Sequence, residues 1–280
     1  MTTPSAARTV TSSVEVAADP ATAFAIFTEE VGCWWQQGPI NFHDSSRAHG
    51  KRIEPGIGGR VLEVYDLATG DGLELARITV WEPGVRLAWT SSLDDVDVDI
   101  RFAPSEGDAA RTVVRVAATV RAGGADRGGT AWVRMTPQWF GRWVDRRDQV
   151  PHEPEHLARL AVAVRYAKPV TAARWLHEVF GLVCTGDLPA TDADFAWIDL
   201  RIGNALLILF PREGDPDDGP ATPTHVPWVF VDDLDAHFAR AQAGGATIVQ
   251  DIWQHGFRAY EAEDLEGHRW TFVQAGPNMR

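Results

Sequence analysis

The sequence predicts an α+β fold made of two domains in tandem. Its 280 residues are about twice the usual size of one compact domain. The first half places one strand and helical pieces before a long run of strands and a closing helix. The second half repeats the order strand, helix and three strands. These observations predict a curved antiparallel sheet around a long C-terminal helix, followed by a paired βαβββ domain.

A polar stretch with two prolines separates the halves. Pro151 and Pro154 lie in the sequence QVPHEPE, where proline ends a helix and favours an extended linker. The predicted domains are therefore residues 1–150 and 157–280, joined by a linker at 151–156.

The first half begins with a strand at 8–16, in which apolar residues alternate, and a helix at 20–30 with apolar residues at helical spacing. Alternating segments between glycine and proline turns then predict six further strands. These strands are 51–54, 60–65, 73–81, 86–91, 96–102 and 112–120. A long helix at 130–148 closes the half, and Pro137 is expected to kink or restart it.

The second half contains the same element order twice, which predicts an internal repeat. The first copy consists of a strand at 160–166, a helix at 170–180 and strands at 182–188, 195–202 and 204–210. The second copy consists of a strand at 225–231, a helix at 233–244 and strands at 247–253, 257–263 and 270–275. An acidic loop rich in proline and glycine, residues 211–223, lies between the copies.

Three segments of the first half resemble the START-like (SRPBCC) superfamily, in its heat-shock-activator-homologue branch. They are residues 14–35 (VEVAADPATAFAIFTEEVGCWW), 52–64 (RIEPGIGGRVLEV) and 76–89 (ARITVWEPGVRLAW). This resemblance implies a helix-grip domain that binds a hydrophobic small molecule and, in rarer cases, acts as a cyclase or aromatase. It supplies no universal catalytic residue.

The second half resembles the vicinal oxygen chelate superfamily, which contains glyoxalases, dioxygenases and bleomycin-resistance proteins. The resemblance rests on residues 173–182 (ARWLHEVFGL), 229–246 (VFVDDLDAHFARAQAGGA) and 260–272 (YEAEDLEGHRWTF). The ending D-x-E-G-H-x-W-x-F is typical of the glyoxalase and bleomycin-resistance subset.

Catalytic members of that superfamily bind a divalent metal through His, Gln and Glu side chains at fixed strand positions. Aligned on the same motifs, these positions hold Ala161, Ile208, Val226 and Thr271, none of which is a strong ligand. His225 is adjacent to one position, but a shift of one residue turns a strand side chain to the opposite face unless a β-bulge intervenes. We therefore expect no metal, no cofactor and no catalytic residue of the family type.

Composition and charge exclude several function classes. The net charge of −13 disfavours nucleic-acid binding, which needs clustered Lys and Arg. No run of about 18 apolar residues is available for a membrane span. The two cysteines, Cys33 and Cys184, form no C-x-x-C motif, and the N-terminus shows no secretory signal. The expected location is the cytoplasm.

Tryptophan is unusually frequent, with twelve residues against three tyrosines. Flat indole rings fill cores, but they also line cavities for flat ligands. The candidate ligand-binding residues are Trp34, Trp35, Trp81, Trp89, Trp132, Trp197, Trp228, Trp253 and Trp270. An acidic loop containing Glu213, Asp215, Asp217 and Asp218 could steer a cationic ligand toward them.

The leading hypothesis is a metal-free protein that binds a hydrophobic, aromatic or cationic small molecule and sequesters a drug or metabolite. The alternative is an enzyme (a lyase, dioxygenase or cyclase acting on an aromatic substrate), which requires titratable groups converging in a cavity. A third hypothesis is an adaptor that contacts other proteins. The resemblance to resistance proteins allows a homodimer, although a chain with both repeats does not require one.

Overall fold

The chain divides into two compact units in the computed structural model. The N-terminal unit comprises Met1–Gln36 and His49–Pro154, and the C-terminal unit comprises Gln37–Ala48 and Glu155–Arg280. The described residues are 6–180, 182–185, 188–192, 197–202, 204–212, 225–263 and 269–279.

The N-terminal unit contains a seven-stranded antiparallel sheet. Its strands are β1 (Arg8–Val16), β2 (Gly50–Ile53), β3 (Arg60–Val64), β4 (Gly72–Glu82), β5 (Arg86–Ser91), β6 (Val96–Ser105) and β7 (Asp108–Val120). The order across the sheet is β1-β7-β6-β5-β4-β3-β2, so consecutive strands from β2 onward are neighbours. Alternation drives this arrangement, because β6 buries Val96, Val98, Ile100 and Phe102 and turns the intervening residues outward.

Three short α-helices accompany this sheet: α1 (Pro20–Glu29), α2 (Val31–Trp34) and α3 (Thr136–Arg146). The carboxylate of Asp19 accepts the backbone N–H groups of Ala21 and Thr22 at 3.0 and 3.1 Å, and Pro20 occupies the first helical position. The start of α1 therefore has the capping residues that its sequence predicts.

The predicted α+β class, with its helix-grip domain, is wrong. The structure is mainly β, with 44% of the residues in strands and 21% in helices. The strands form two large curled sheets. The long helix expected at 130–148 is divided into a 3₁₀ turn at Ala131–Arg134, α3, and a second 3₁₀ turn at Arg147–Gln149. Pro137 explains the first break, because proline has no N–H with which to continue the preceding turn and is instead suited to starting a helix.

The C-terminal unit contains an eight-stranded mixed sheet. Its strands are β8 (Leu160–Tyr166), β9 (Val183–Cys184), β10 (Ile198–Ile202), β11 (Ala205–Pro211), β12 (His225–Val231), β13 (Thr247–His255), β14 (Phe257–Glu263) and β15 (Arg269–Gln274). The order is β13-β14-β15-β12-β8-β11-β10-β9. The parallel pairs β8–β11 and β12–β15 are equivalent in the two repeats, and the antiparallel pair β8–β12 joins them.

Two helices lie on one side of this sheet, α4 (Pro169–Phe180) and α5 (Leu234–Ala243). Alternate strand residues pack with each helix: Leu200 and Leu209 belong to the α4 cluster, and Tyr260 and Ala262 to the α5 cluster. The remaining alternate residues form a third apolar cluster on the opposite side, which we call the inner face.

A segment from the first half of the sequence belongs to the C-terminal unit. Residues 37–48 are bound there by backbone and side-chain contacts: Ser45 N–H donates to the Gly256 carbonyl at 2.9 Å, and Arg201 donates to the Gln37 carbonyl at 3.2 Å. Ile40 packs against the inner-face cluster. The sequence shows only a polar loop at these positions.

Candidate ligand-binding face of the C-terminal unit

The register of the strands defines the inner face. Trp228 on β12 is paired with both Ala161 on β8 and Thr271 on β15, and Ala161 is paired with Leu206 on β11. Paired residues point to the same side of a sheet, so these side chains form one row across four strands. The next row contains Asp199, Ile208, Ala163 and Val226.

The four positions that would hold a metal in the superfamily occur in these two rows, where they supply poor ligands. Ala161, Ile208 and Val226 have only hydrocarbon side chains, and Thr271 donates its hydroxyl to Glu261 at 3.5 Å. The described part of the chain contains no group of three or more His, Cys, Asp or Glu side chains suited to a metal ion. This donor set does not fit the divalent metal of the catalytic relatives.

His225 does not compensate for the missing ligands. The pairing of β12 with β8 runs from His225 to Val229 without a register shift, so no β-bulge turns the imidazole inward. Because Val226 packs in the inner-face cluster, His225 points to the other side of the sheet.

Aromatic rings form a continuous series on the inner face. The ring centroids of Phe210 and Trp228 are 6.2 Å apart, those of Trp228 and Phe257 are 5.3 Å apart, and those of Phe257 and Trp253 are 6.4 Å apart. Trp197 is partly buried against the same cluster. The structure therefore brings three of the sequence-predicted tryptophans to one face of the sheet, where Trp228 is buried and Trp197 and Trp253 are partly buried.

Trp270 lies on the opposite side of the sheet. It precedes Thr271 on β15 and is paired with Ala262, which packs in the α5 cluster. Trp270 is therefore not on the inner face with Trp197, Trp228 and Trp253, although the sequence predicts all four on or near strands of this sheet.

Asp199 is a buried carboxyl group that the sequence reading missed. It lies on β10 between Trp197 and Arg201, and its paired residue is Ile208 on the inner face. Only 6% of its surface is exposed, and its Oδ1 has no hydrogen-bond partner among the described residues. Burial raises the pKa of Asp199 to about 7, and the nearby charge of Arg201 opposes that rise.

Arg201 lies on the same face, two residues further along β10. Its Nη2 donates to the Gln37 carbonyl and to Glu155 Oε2, both at 3.2 Å. The alternation W-I-D-L-R at 197–201 contained the signal for this placement, because a period of two puts Trp197, Asp199 and Arg201 on one side.

The predicted tryptophans of the N-terminal unit lie in its hydrophobic core. Trp34 and Trp89 are buried, and the rings of Trp89 and Trp132 stack at 5.8 Å between centroids. Trp35 packs between Trp34 and Trp132, while Trp81 packs edge-on against Phe24. A surface depression of about 360 Å³ in this unit is lined mainly by residues of α1, the β1–α1 turn and the end of α3, and not by these tryptophans.

A buried ion pair lies beside this core. Lys51 Nζ is 2.7 Å from Glu63 Oε2, both side chains are almost fully buried, and the Trp35 ring centroid is 4.9 Å from the ammonium nitrogen. The hydroxyl of Tyr65 donates to the other Glu63 oxygen at 3.0 Å. Burial lowers the pKa of Lys51, although the Glu63 carboxylate opposes this shift.

Helical spacing suggests that His237 forms a surface pair with Asp233. In the structure, His237 instead contacts Tyr260 and Phe272. Its Nδ1 is 2.7 Å from the hydroxyl of Tyr260, and its ring centroid is 4.3 Å from that of Phe272. Burial lowers the pKa of His237.

Some residues considered in the sequence lie outside the part of the chain that the structure describes. They are Glu213, Asp215, Asp217, Asp218 and His268. No helix in the described part of the chain is both long and apolar enough to cross a membrane.

Comparison with known proteins gives a family for the C-terminal unit. Residues 155–272 match the model of the Glyoxalase/Bleomycin resistance protein/Dioxygenase superfamily. No family finding supports the START-like resemblance of the first half, and no curated protein matches the chain.

Solved structures similar to this chain include three proteins. TioX from Micromonospora sp. ML1 has 31% identity and a TM-score of 0.19, covering 43% of this chain and 98% of its own. A superfamily member from Vibrio splendidus 12B01 has 12% identity and a TM-score of 0.32, covering 41% and 97%. Methylmalonyl-CoA epimerase from Mycobacterium tuberculosis has 20% identity and a TM-score of 0.32, covering 44% and 89%. The comparisons thus support a glyoxalase/bleomycin resistance protein/dioxygenase superfamily domain at residues 155–272.

Proposed function

We propose that the C-terminal unit binds planar aromatic small molecules on its inner face, without a metal ion at the superfamily positions. The observation that carries this proposal is the series of rings Phe210, Trp228, Phe257 and Trp253 on one side of the sheet. Stacking on such rings contributes affinity without directional bonds.

The residues at the metal positions support binding rather than metal-assisted chemistry. Ala161 and Ile208 contribute apolar surface where catalytic relatives have ligands. The small and branched side chains at these positions make the middle of the inner face apolar. An apolar surface without metal ligands favours sequestration of a drug or metabolite.

Calorimetric titration of the full chain with a panel of bicyclic and tricyclic aromatic compounds tests the proposal. Trp228→Leu removes the central ring, and we expect it to weaken binding at least tenfold. Trp270→Leu is the matched control, because it removes the same side chain from the other face of the neighbouring strand. Equal affinities in the two variants, with both still folded, would refute the proposed surface.

Addition of Ni²⁺, Zn²⁺, Mn²⁺ or Fe²⁺ to the same titration separates binding modes. We expect the affinity for the aromatic compound to be unchanged, because Ala161, Ile208 and Val226 offer no donor atoms. Binding that requires one of these ions would contradict the metal-free proposal.

A proton-transfer enzyme is the second candidate, and Asp199 is the observation that favours it. A carboxyl group with a pKa of about 7 is suited to general acid–base catalysis near neutral pH. Incubation of a bound compound with the protein, followed by mass and chiral analysis, distinguishes the two roles. Recovery of unchanged compound supports binding, whereas a product that Asp199→Asn fails to form supports the enzyme.

A further inference from the structure

Lysine is rare in this chain. Two of the 26 basic residues are lysines, Lys51 and Lys168, and the others are arginines. Lys168 is exposed, whereas the side chain of Lys51 is only 4% exposed. Arginine is the usual cation of buried ion pairs and stays protonated, while a lysine amine can lose its proton and act as a nucleophile. A buried lysine in a chain that otherwise uses arginine therefore indicates amine chemistry at this position.

The strand register places Lys51 opposite a buried carboxylate. Lys51 on β2 is paired with Glu63 on β3, so both side chains lie on the same face of the N-terminal sheet. Ile53, two residues further along β2, packs in the hydrophobic core on that face. Lys51 Nζ is 2.7 Å from Glu63 Oε2, and the Tyr65 hydroxyl donates to Oε1 at 3.0 Å. The amine therefore has a proton acceptor within hydrogen-bond distance and away from bulk water.

Burial favours transfer of the ammonium proton to this acceptor. A poorly solvated site penalises two charges more than it penalises a neutral amine and a neutral carboxylic acid. Burial lowers the pKa of Lys51, while the negative charge of Glu63 opposes the shift. The free amine is therefore formed nearer to neutral pH than in an exposed lysine.

Two partly buried rings border the ion pair. The ring centroid of Trp35 is 4.9 Å from Lys51 Nζ, and Tyr65 contacts Glu63 through its hydroxyl. Both aromatic residues keep some exposed surface, so the amine lies about one side chain away from solvent. The ring of Trp132 packs against Trp35 at 5.8 Å between centroids and extends this apolar surface. A small flat molecule that stacks on Trp35 can therefore reach the amine.

We propose that Lys51 is a nucleophilic amine that forms an imine with aldehydes carrying a flat aromatic group. This chemistry is separate from ligand binding by the C-terminal unit. The aromatic group stacks beside Trp35, and the carbonyl carbon lies next to Nζ.

The reaction needs no oxidant, reductant or metal ion. The Lys51 ammonium gives one proton to Glu63, and the amine nitrogen then attacks the carbonyl carbon. The carbonyl oxygen receives a second proton from the nitrogen and the first one back from Glu63, and it leaves as water. The product is a protonated imine, whose positive charge again faces the Glu63 carboxylate. The ion pair is therefore present before and after the reaction.

Reductive trapping in the full chain at pH 7 tests the inference. Benzaldehyde is the probe, and sodium cyanoborohydride converts each imine into a stable benzylamine. Peptide mass mapping then separates Lys51, Lys168 and the amino terminus. We expect Lys51 to be labelled about tenfold faster than Lys168 or more, because exposed lysines are almost fully protonated at this pH. Equal rates at the two lysines, or labelling of Lys168 alone, overturn the inference.

The same reaction in unfolding concentrations of urea is the control for the folded site. We expect the two lysines to react at equal rates there, because the burial and the Glu63 contact are lost. A preference for Lys51 that persists in the unfolded chain would belong to the local sequence and would overturn the site.

Two conservative substitutions complete the test. Lys51→Arg keeps a cation opposite Glu63 and should remove the fast-labelled peptide, with labelling of Lys168 unchanged. Lys168→Arg is the matched control at the exposed position and should leave the rate at Lys51 at the wild-type value. A rate at Lys51 that rises with pH in parallel with the rate at Lys168 would show an ordinary amine and contradict the proposal.

Discussion

Replacement of Asp199 by asparagine should stabilise the protein at alkaline pH. The carboxyl group has an ordinary pKa of 3.8 in the unfolded chain and a pKa of about 7 in the folded structure. The folded state therefore binds more protons than the unfolded state between these values. Stability contributed by this group falls as the pH rises through that interval, and it is constant above about pH 7.

The size of the effect follows from the difference in pKa. Each unit corresponds to about 1.4 kcal/mol, so a difference of about three units gives roughly 4 kcal/mol between acidic and alkaline pH. Asn has no charged form and lacks this pH-dependent cost. The gain from the substitution should therefore be about 4 kcal/mol at pH 8 and should diminish toward pH 5.

Urea unfolding followed by fluorescence at pH 5, 6, 7 and 8 measures the difference between the two proteins. Asp235→Asn serves as the control, because its carboxylate is exposed and lies on the outer side of the same unit. A difference in unfolding free energy that does not change across this pH range would refute the reasoning. It would mean that Asp199 keeps an ordinary pKa in the folded protein.

Three further substitutions test other parts of the structure by the same unfolding measurement. Lys51→Met leaves the Glu63 carboxylate buried without its cation and should cost about 3–5 kcal/mol, whereas the double substitution with Glu63→Leu should recover most of it. A variant Lys51→Met as stable as wild type would contradict the buried pair. Asp19→Ala removes the cap of α1 and should cost about 1 kcal/mol. Gly276→Ala places a Cβ atom 2.2 Å from the Ser45 carbonyl oxygen and should destabilise the C-terminal unit, while unchanged stability would show that residues 37–48 do not pack there.

Local patterns predicted three strands of the second half at both ends, whereas the strand expected at 182–188 is much shorter in the structure, at Val183–Cys184. The alternating runs at β8, β12 and β14 coincide with the structure at both ends, because apolar alternation and turn residues act over a few positions. The helix-grip class was wrong because it depended on one long helix around which the first sheet would wrap. Pro137 divides that segment, and a helix of eleven residues covers only part of a seven-stranded sheet.

The candidate site could be predicted only in part. Trp197, Trp228 and Trp253 share a face because strand alternation decides their direction, and the same rule sends Trp270 to the other side. The burial of Asp199 depends on which strands pack beside β10 and on contacts far away in the sequence. The raised pKa of Asp199 follows from that burial, so no short sequence motif predicts this pKa.

The cost of Asp199 to stability is itself an argument for function. Ile208, its paired residue, shows that an apolar side chain fits this face, and an apolar residue at 199 would avoid the burial of a carboxyl group. Stability and function oppose each other most often at binding and catalytic sites, where a strained or poorly solvated group does chemistry that a packed core does not.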